Sequence, residues 1–296
     1  MSLAAADVSL VVDVRANSPH HFADRAAQRV RSASLLGPTG RLLMVAADHP
    51  ARGALAAGSQ AEAMANRERL LERLCEVLSR PEVNGVLGTP DILEDLLLLG
   101  ALDSKVVVGS MNRGGLAGTT FEMDDRFTGY DAAHLAGMGF DGGKMLLRID
   151  PSDPATAGTL AACAQAVTDL ADRRLMAMIE PFFCRRVDGR VRNDLDTRAV
   201  VRSVTVAAGL GATSAYTWLK LPVTDDVAGM AEVLAASTLP ALLLGGEVPA
   251  DADAALASFA HVLGMPTAKG LVLGRSLLFP ADGDVAGAVD RVVSLL

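Results

Sequence analysis

Short, continuous apolar runs recur along this chain, and longer stretches with helical spacing lie between them. The first run, residues 42–47, closes on Asp48-His49-Pro50. Others follow at 84–87, 105–108, 144–149, 175–179, 215–219, 240–244 and 270–273. Runs of this kind, apolar throughout and not alternating, mark strands buried on both faces of a parallel sheet. Between them, residues 60–80, 92–99, 130–138, 156–172, 197–210, 226–237, 250–263 and 285–296 read as helices, with apolar residues three and four apart. A further helix is expected over 20–35, stopped by Gly37-Pro38-Thr39-Gly40. One connection, residues 109–129, is long for a compact domain, which marks it as functional or disordered.

Eight strands alternating with helices predict an α/β fold, specifically a (β/α)₈ TIM barrel over residues 41–296. Residues 1–40 form an N-terminal helical extension that caps one end of it. An open doubly wound sheet is the alternative, but no GxGxxG motif follows the first strand.

Composition narrows the function classes. Aromatic residues are only 4% of the 296, so the core must be built from Leu, Val, Ala and Met. The net charge of −8 argues against a nucleic-acid partner but leaves room for a small anion held by a few arginines. Cys75, Cys163 and Cys184 are odd in number and dispersed, so no disulfide framework is expected and a cytoplasmic location is the simplest. The first residues carry no basic leader, and no apolar run approaches the ~20 residues of a membrane span. The leucine-rich segment 92–99 suggests a homo-oligomer interface, unless it packs on the barrel itself.

In a barrel of this kind the chemistry sits at the C-terminal ends of the strands. That rim collects Asp48, Asp150, Glu180, Lys220, Gly245-Gly246 and Gly274-Arg275. Lysine is rare here, confined to Lys105, Lys144, Lys220 and Lys269, so a lysine between Leu219 and Leu221 stands out. Its stem packs while its head reaches water, or it loses its proton and becomes an amine nucleophile. Glu180, between Ile179 and Pro181, is a carboxylate in apolar company and suits proton transfer. Glycine pairs at the ends of the seventh and eighth strands let backbone N–H groups approach a phosphate, and Arg275 adds a guanidinium fork. Arg113, Arg126 and Arg148 are candidates to meet a substrate carboxylate. Of the histidines only His49 falls at a strand end, and neither HxH nor HExxH occurs, so no metal site is expected.

The ordered set Ala47-Asp48-His49, Lys144-Met145-Leu146-Leu147-Arg148-Ile149-Asp150, Ile179-Glu180-Pro181, Leu219-Lys220-Leu221-Pro222 and Gly274-Arg275 resembles the class I barrel aldolases. These include the tagatose-bisphosphate, archaeal-type fructose-bisphosphate and deoxyribose-phosphate aldolases, and a group of actinobacterial proteins associated with inositol breakdown. The resemblance covers residues 41–280. It implies Lys220 as the Schiff-base lysine, Glu180 as the proton-moving carboxylate, Lys144 as a second lysine and Asp48 as a contact to substrate hydroxyls. It further implies Gly245, Gly246, Gly274 and Arg275 as the phosphate site, and a lyase that needs no cofactor. His49-Pro50 and Arg148 depart from the pattern and bear on the substrate, which the resemblance leaves between a ketose bisphosphate, deoxyribose phosphate and 2-deoxy-5-keto-gluconate 6-phosphate. A sugar-phosphate-binding barrel without lyase activity, and an isomerase using Glu180 as base, remain open readings.

Overall fold

Nine strands are present among the described residues of the computed structural model, which are 7–224, 226–246, 248 and 252–296. They are β1 (Leu42–Ala46), β2 (Gly85–Gly88), β3 (Val106–Ser110), β4 (Gly142–Ile149), β5 (Met176–Val187), β6 (Arg190–Asn193), β7 (Thr217–Leu221), β8 (Ala241–Leu244) and β9 (Ala268–Leu273). All but β6 pair in parallel with the next, and β9 pairs back onto β1, so the ring closes as a (β/α)₈ TIM barrel. The helices are α1 (Val8–Asn17), α2 (His21–Gln28), α3 (Arg67–Ser79), α4 (Pro90–Leu98), α5 (Ala132–Gly137), α6 (Ala155–Ala171), α7 (Thr197–Ala208), α8 (Met230–Ala235), α9 (Ala252–Leu263), α10 (Arg275–Leu278) and α11 (Val285–Val293).

The strands read as continuous apolar runs because both faces are buried, yet the two faces bury different things. Side chains alternate across a strand. Leu42, Met44, Ala46, Val106, Val108, Met176, Met178, Leu242 and Val272 form one cluster, the packed lumen. Leu43, Val45, Val107, Met145, Leu147, Ala177, Ile179, Leu219 and Leu221 belong to the second, larger cluster, where the strands meet the helices. Continuing the lumen parity toward the C-terminal ends gives Asp48, Ser110, Lys144, Glu180 and Lys220. Methionine, leucine and valine fill the lower lumen, with Trp218 packed against them. Leu35 and Leu36 pack against the same lumen cluster.

Several boundaries differ from those the sequence predicts. The expected 20–35 helix ends at Gln28, and the following segment is extended, held by Arg29. That buried guanidinium donates to the carbonyls of Leu102 (3.3 Å), Lys105 (3.1 Å) and Gly139 (2.6 Å). The sixth barrel strand runs Thr217–Leu221, so Lys220 lies inside it and not at its end. The helix expected over 226–237 shrinks to a 3₁₀ turn and α8. The first two residues of the helix expected over 250–263, and residues 1–6 of the N-terminal extension, lie outside the described residues. After the fifth strand β5 runs past the barrel and returns as antiparallel β6, a hairpin that carries Arg185, Arg186, Arg190 and Arg192. The leucines of α4 are buried against the barrel, with Ile92, Leu93, Leu96 and Leu97 each at most 2% exposed, which removes this helix as a sign of an interface. No described helix is long and apolar enough to cross a membrane.

One glycine fixes the closure of the ring. Gly270 has φ +147°, and a Cβ there would meet the Leu42 backbone across the β9–β1 seam. Gly270→Ala is expected to lower the unfolding free energy by about 3 kcal/mol, through backbone strain and loss of seam pairing. Urea unfolding measures it; a change under about 1 kcal/mol would mean that the seam yields.

Candidate active site

Five polar side chains crown the lumen. Lys220 of β7 is 2.8 Å from Glu180 Oε1 of β5, and Lys144 of β4 contacts the other carboxylate oxygen, Oε2. Lys144 also lies 3.4 Å from Asp48 Oδ2, just past β1. Ser110 of β3 donates to the same Asp48 oxygen at 3.2 Å. The ladder therefore runs Asp48, Lys144, Glu180, Lys220, alternating in sign, and its first step crosses the lumen between β1 and β4, three places apart in the ring. Parallel register sets Ser110 opposite Lys144, and Lys144 opposite Met178, so Lys144 reaches Glu180 from two residues lower on the neighbouring strand.

A sixth comes from the long 111–131 connection between β3 and α5. Asn112 continues the β4 pairing through its side chain, donating to Leu146 O (2.6 Å) and accepting from Leu146 N (2.7 Å). That anchor turns Arg113 inward, where it pairs with Asp48 and donates to Ser110 Oγ at 2.9 Å.

These groups are almost dry, with Lys144 1% and Lys220 5% exposed. Burial lowers the ammonium pKa of both lysines, and the Arg113 guanidinium depresses each further. Burial by itself would raise the Glu180 carboxyl. Lys144 and Lys220 outweigh it and hold Glu180 well below the usual carboxylate range. Glu180 is therefore an ionised acceptor in the resting site, not a carboxyl poised near neutrality as its apolar sequence neighbours suggest. The ladder titrates as a unit, since each member is in contact with the next.

Above the ladder opens a cavity of about 470 Å³ lined by Asp48, His49, Arg113, Glu180, Lys220 and Arg275 among others. Gly245, Gly246 and Gly274 line it too. Gly246 takes φ +63°, which favours glycine, and a Cβ on Gly274 would run into Ala46 O and the His49 ring. Arg275 crosses this rim, donating to Gly246 O at 3.1 Å. In ring order β4 stands four places from β9, so Arg148 faces Arg275 across the mouth. Arg148 is held by Glu122 at 2.6 Å and by Asp125 at 3.6 Å, and Arg52 joins Glu122 at 3.2 Å.

Lys220, Glu180, Asp48, Gly245, Gly246, Gly274, Arg275 and Arg148 line this one cavity, as do Arg113 and His49, and Lys144 lies on the ladder beneath it. Two other expectations do not hold. Asp150 turns away to accept from Ser152 N and Oγ at 2.9 and 2.6 Å. Arg126 is exposed and paired with Asp124, outside the cavity. Sequence reading missed Ser110, Glu122 and Arg52, and with them the hairpin residues Val191, Arg192, Asn193 and Leu195, which line the cavity wall. Arg186 ties that hairpin to the 111–131 connection through Thr120 O at 2.7 Å.

A family model described as Cgl0159-like matches residues 40–293. The chain belongs to the Cgl0159-like family. The crystal structure of Cgl0159 from Corynebacterium glutamicum is 53% identical, covers 97% of this chain and 96% of its own, and superposes with a TM-score of 0.93. More distant barrels share the fold. An archaeal fructose 1,6-bisphosphate aldolase is 16% identical, with 93% and 98% coverage and a TM-score of 0.66. The fructose-bisphosphate aldolase from Slackia heliotrinireducens is 18% identical, with 86% coverage of each chain and a TM-score of 0.60. No functionally curated protein matches the chain.

In this member of the Cgl0159-like family His49 lies between ladder and rim. Burial, then the Arg275 and Lys220 charges, push its imidazole down to about 3, and its Nδ1 finds no hydrogen-bond partner among the described residues. An unfolded histidine protonates near 6.5. The unfolded chain thus binds a proton first, and the stability that neutral His49 contributes is full above about 6.5 and lost as pH falls toward 3. Between roughly pH 6 and 4.5 the unfolding free energy should fall less steeply in His49→Gln, by up to about 1.4 kcal/mol per pH unit. Urea titrations at several pH values measure this; equal slopes would place a charged imidazole in the folded site.

Proposed function

We propose that the chain is a class I aldolase, cleaving a phosphorylated keto-sugar or keto-sugar acid through a Schiff base on Lys220. One observation carries the reading: a lumen lysine, buried and with its pKa depressed, is hydrogen-bonded to a carboxylate that a second lysine already occupies. A lysine so placed offers a free amine, which is what carbonyl addition needs. The distant barrels fit, since one is described as an archaeal fructose-1,6-bisphosphate aldolase with its catalytic lysine bound to a carbinolamine intermediate, at 15% identity, 93% and 98% coverage and a TM-score of 0.63.

The steps follow from the groups present. The Lys220 amine adds to the ketone carbon, and the carbinolamine loses water to give an iminium. Glu180, within reach of the nitrogen, carries the protons of that exchange. The iminium draws electrons from the bond between its α and β carbons as the β-hydroxyl proton leaves to a carboxylate. An aldehyde departs and an enamine stays on Lys220. Protonation of the enamine and hydrolysis then return the amine. Asp48, pinned by Arg113 and Ser110, is positioned to accept from substrate hydroxyls. The Gly245-Gly246 and Gly274-Arg275 turns are suited to a phosphate, whose binding fixes the ketone over the lysine. Arg148, across the mouth, suits a second anionic end. Fructose and tagatose bisphosphates and 2-deoxy-5-keto-gluconate 6-phosphate fall within this chemistry, the last giving dihydroxyacetone phosphate and malonate semialdehyde, whereas deoxyribose 5-phosphate would meet Lys220 through an aldehyde.

Borohydride reduction during turnover tests the reading over a panel of these sugar phosphates. The expected result is one adduct on the peptide bearing Lys220, with cleavage reduced about 10³-fold or more in Lys220→Ala. Glu180→Gln should keep the phosphate affinity and lose about 10²–10⁴-fold in kcat. Isomerisation or binding without any reducible adduct would contradict the proposal.

A further inference from the structure

The ladder holds two carboxylates, Asp48 and Glu180, against three basic side chains, Arg113, Lys144 and Lys220. We propose that Arg113 is a positioning residue for the reaction: its fixed charge on Asp48 leaves the buried ladder room for one lysine proton only, so that Lys220 stays a free amine. The proposal rests on Lys220 being the nucleophile, and adds what keeps it so.

Charge has to balance in so dry a place. A guanidinium keeps its proton at working pH. Burial pushes Arg113 down to about 10, which still leaves it cationic at neutrality. With Arg113 on Asp48, one further proton makes the ladder electrically neutral, and a second would leave a net buried charge, which is costly. Burial lowers Lys144 further than Lys220, so the assignment of the one proton rests on the carboxylates each lysine meets. Lys144 is bracketed by both carboxylates, touching Glu180 and standing 3.4 Å from Asp48, whereas Lys220 reaches Glu180 alone. The surroundings do not upset the count. On the far side of Arg113, Arg148 is matched by Glu122 and Asp125. Arg52 shares Glu122. His49 is neutral, and Arg275 at the β9 rim adds a positive field that also disfavours a proton on Lys220. Arg113 reaches this position from the 111–131 connection, outside the strands, which is why strand-end reading gave it no such role.

Competitive acetylation with acetic anhydride across a pH series, read on the peptide bearing Lys220, gives the protonation midpoint of that amine without any substrate. Arg113→Gln should raise the midpoint by at least about one pH unit, a tenfold loss of free amine at fixed pH. Asp48→Asn should move it the opposite way. The double variant Arg113→Gln with Asp48→Asn removes one charge of each sign and should bring the midpoint back below that of Arg113→Gln alone. It also avoids leaving an unpaired buried ion, so it folds even where a single variant does not. A native midpoint in Arg113→Gln, or a double variant whose midpoint is no lower than that of Arg113→Gln, would overturn the proposal. Failure of borohydride trapping in the native protein would instead overturn the aldolase reading, so the two are separable.

Discussion

Everything at the site depends on the cost of holding ionised groups out of water. Four strands send a charged or ionisable side chain into the upper lumen, and none is tolerable there alone. Glu180 satisfies one lysine with each oxygen, and Asp48 is shared by Lys144, Ser110 and Arg113. The ladder is in effect a polar plug on an apolar lumen of methionine, leucine and valine. Removing one rung leaves its neighbour unpaired and buried, so the ladder couples fold stability to protonation state. The same coupling depresses the lysines and keeps Glu180 ionised.

Much of the fold was legible because a parallel barrel writes itself as apolar runs of strand length between helical stretches. The run around Lys220 shows where such reading stops. Leu219 and Leu221 suggest a lysine in apolar company, but those leucines face the helices while Lys220 faces the lumen. Its true neighbours, Glu180 and Lys144, are 40 and 76 residues earlier, and only ring closure and register bring them together. Asp150 shows the converse error: it ends a strand as Asp48 follows one, but its carboxylate closes a local turn on Ser152.

The hairpin and the 111–131 connection were the least legible parts. Neither has apolar periodicity, because neither contributes a face to the core in the way a strand or helix does. Asn112 is the physical key to the connection, since its side chain satisfies the Leu146 backbone groups at the barrel edge and fixes Arg113 beside Asp48. Polar anchoring of that kind leaves no repeat for sequence reading to find. The result is a mouth with glycine turns and Arg275 on one side, and the Arg148–Glu122–Arg52 group with the hairpin on the other.

The central claim is that Lys220, and not the more deeply buried Lys144, meets the carbonyl. A crystal soaked with dihydroxyacetone phosphate at pH 7–8 and frozen without reductant addresses it directly. Continuous density is expected from Lys220 Nζ to the ketone carbon, with the phosphate seated on Gly245, Gly246, Gly274 and Arg275 and Lys144 still on Glu180. Density joining Lys144 to the ligand, or a ligand bound with no covalent link to either lysine, would contradict it.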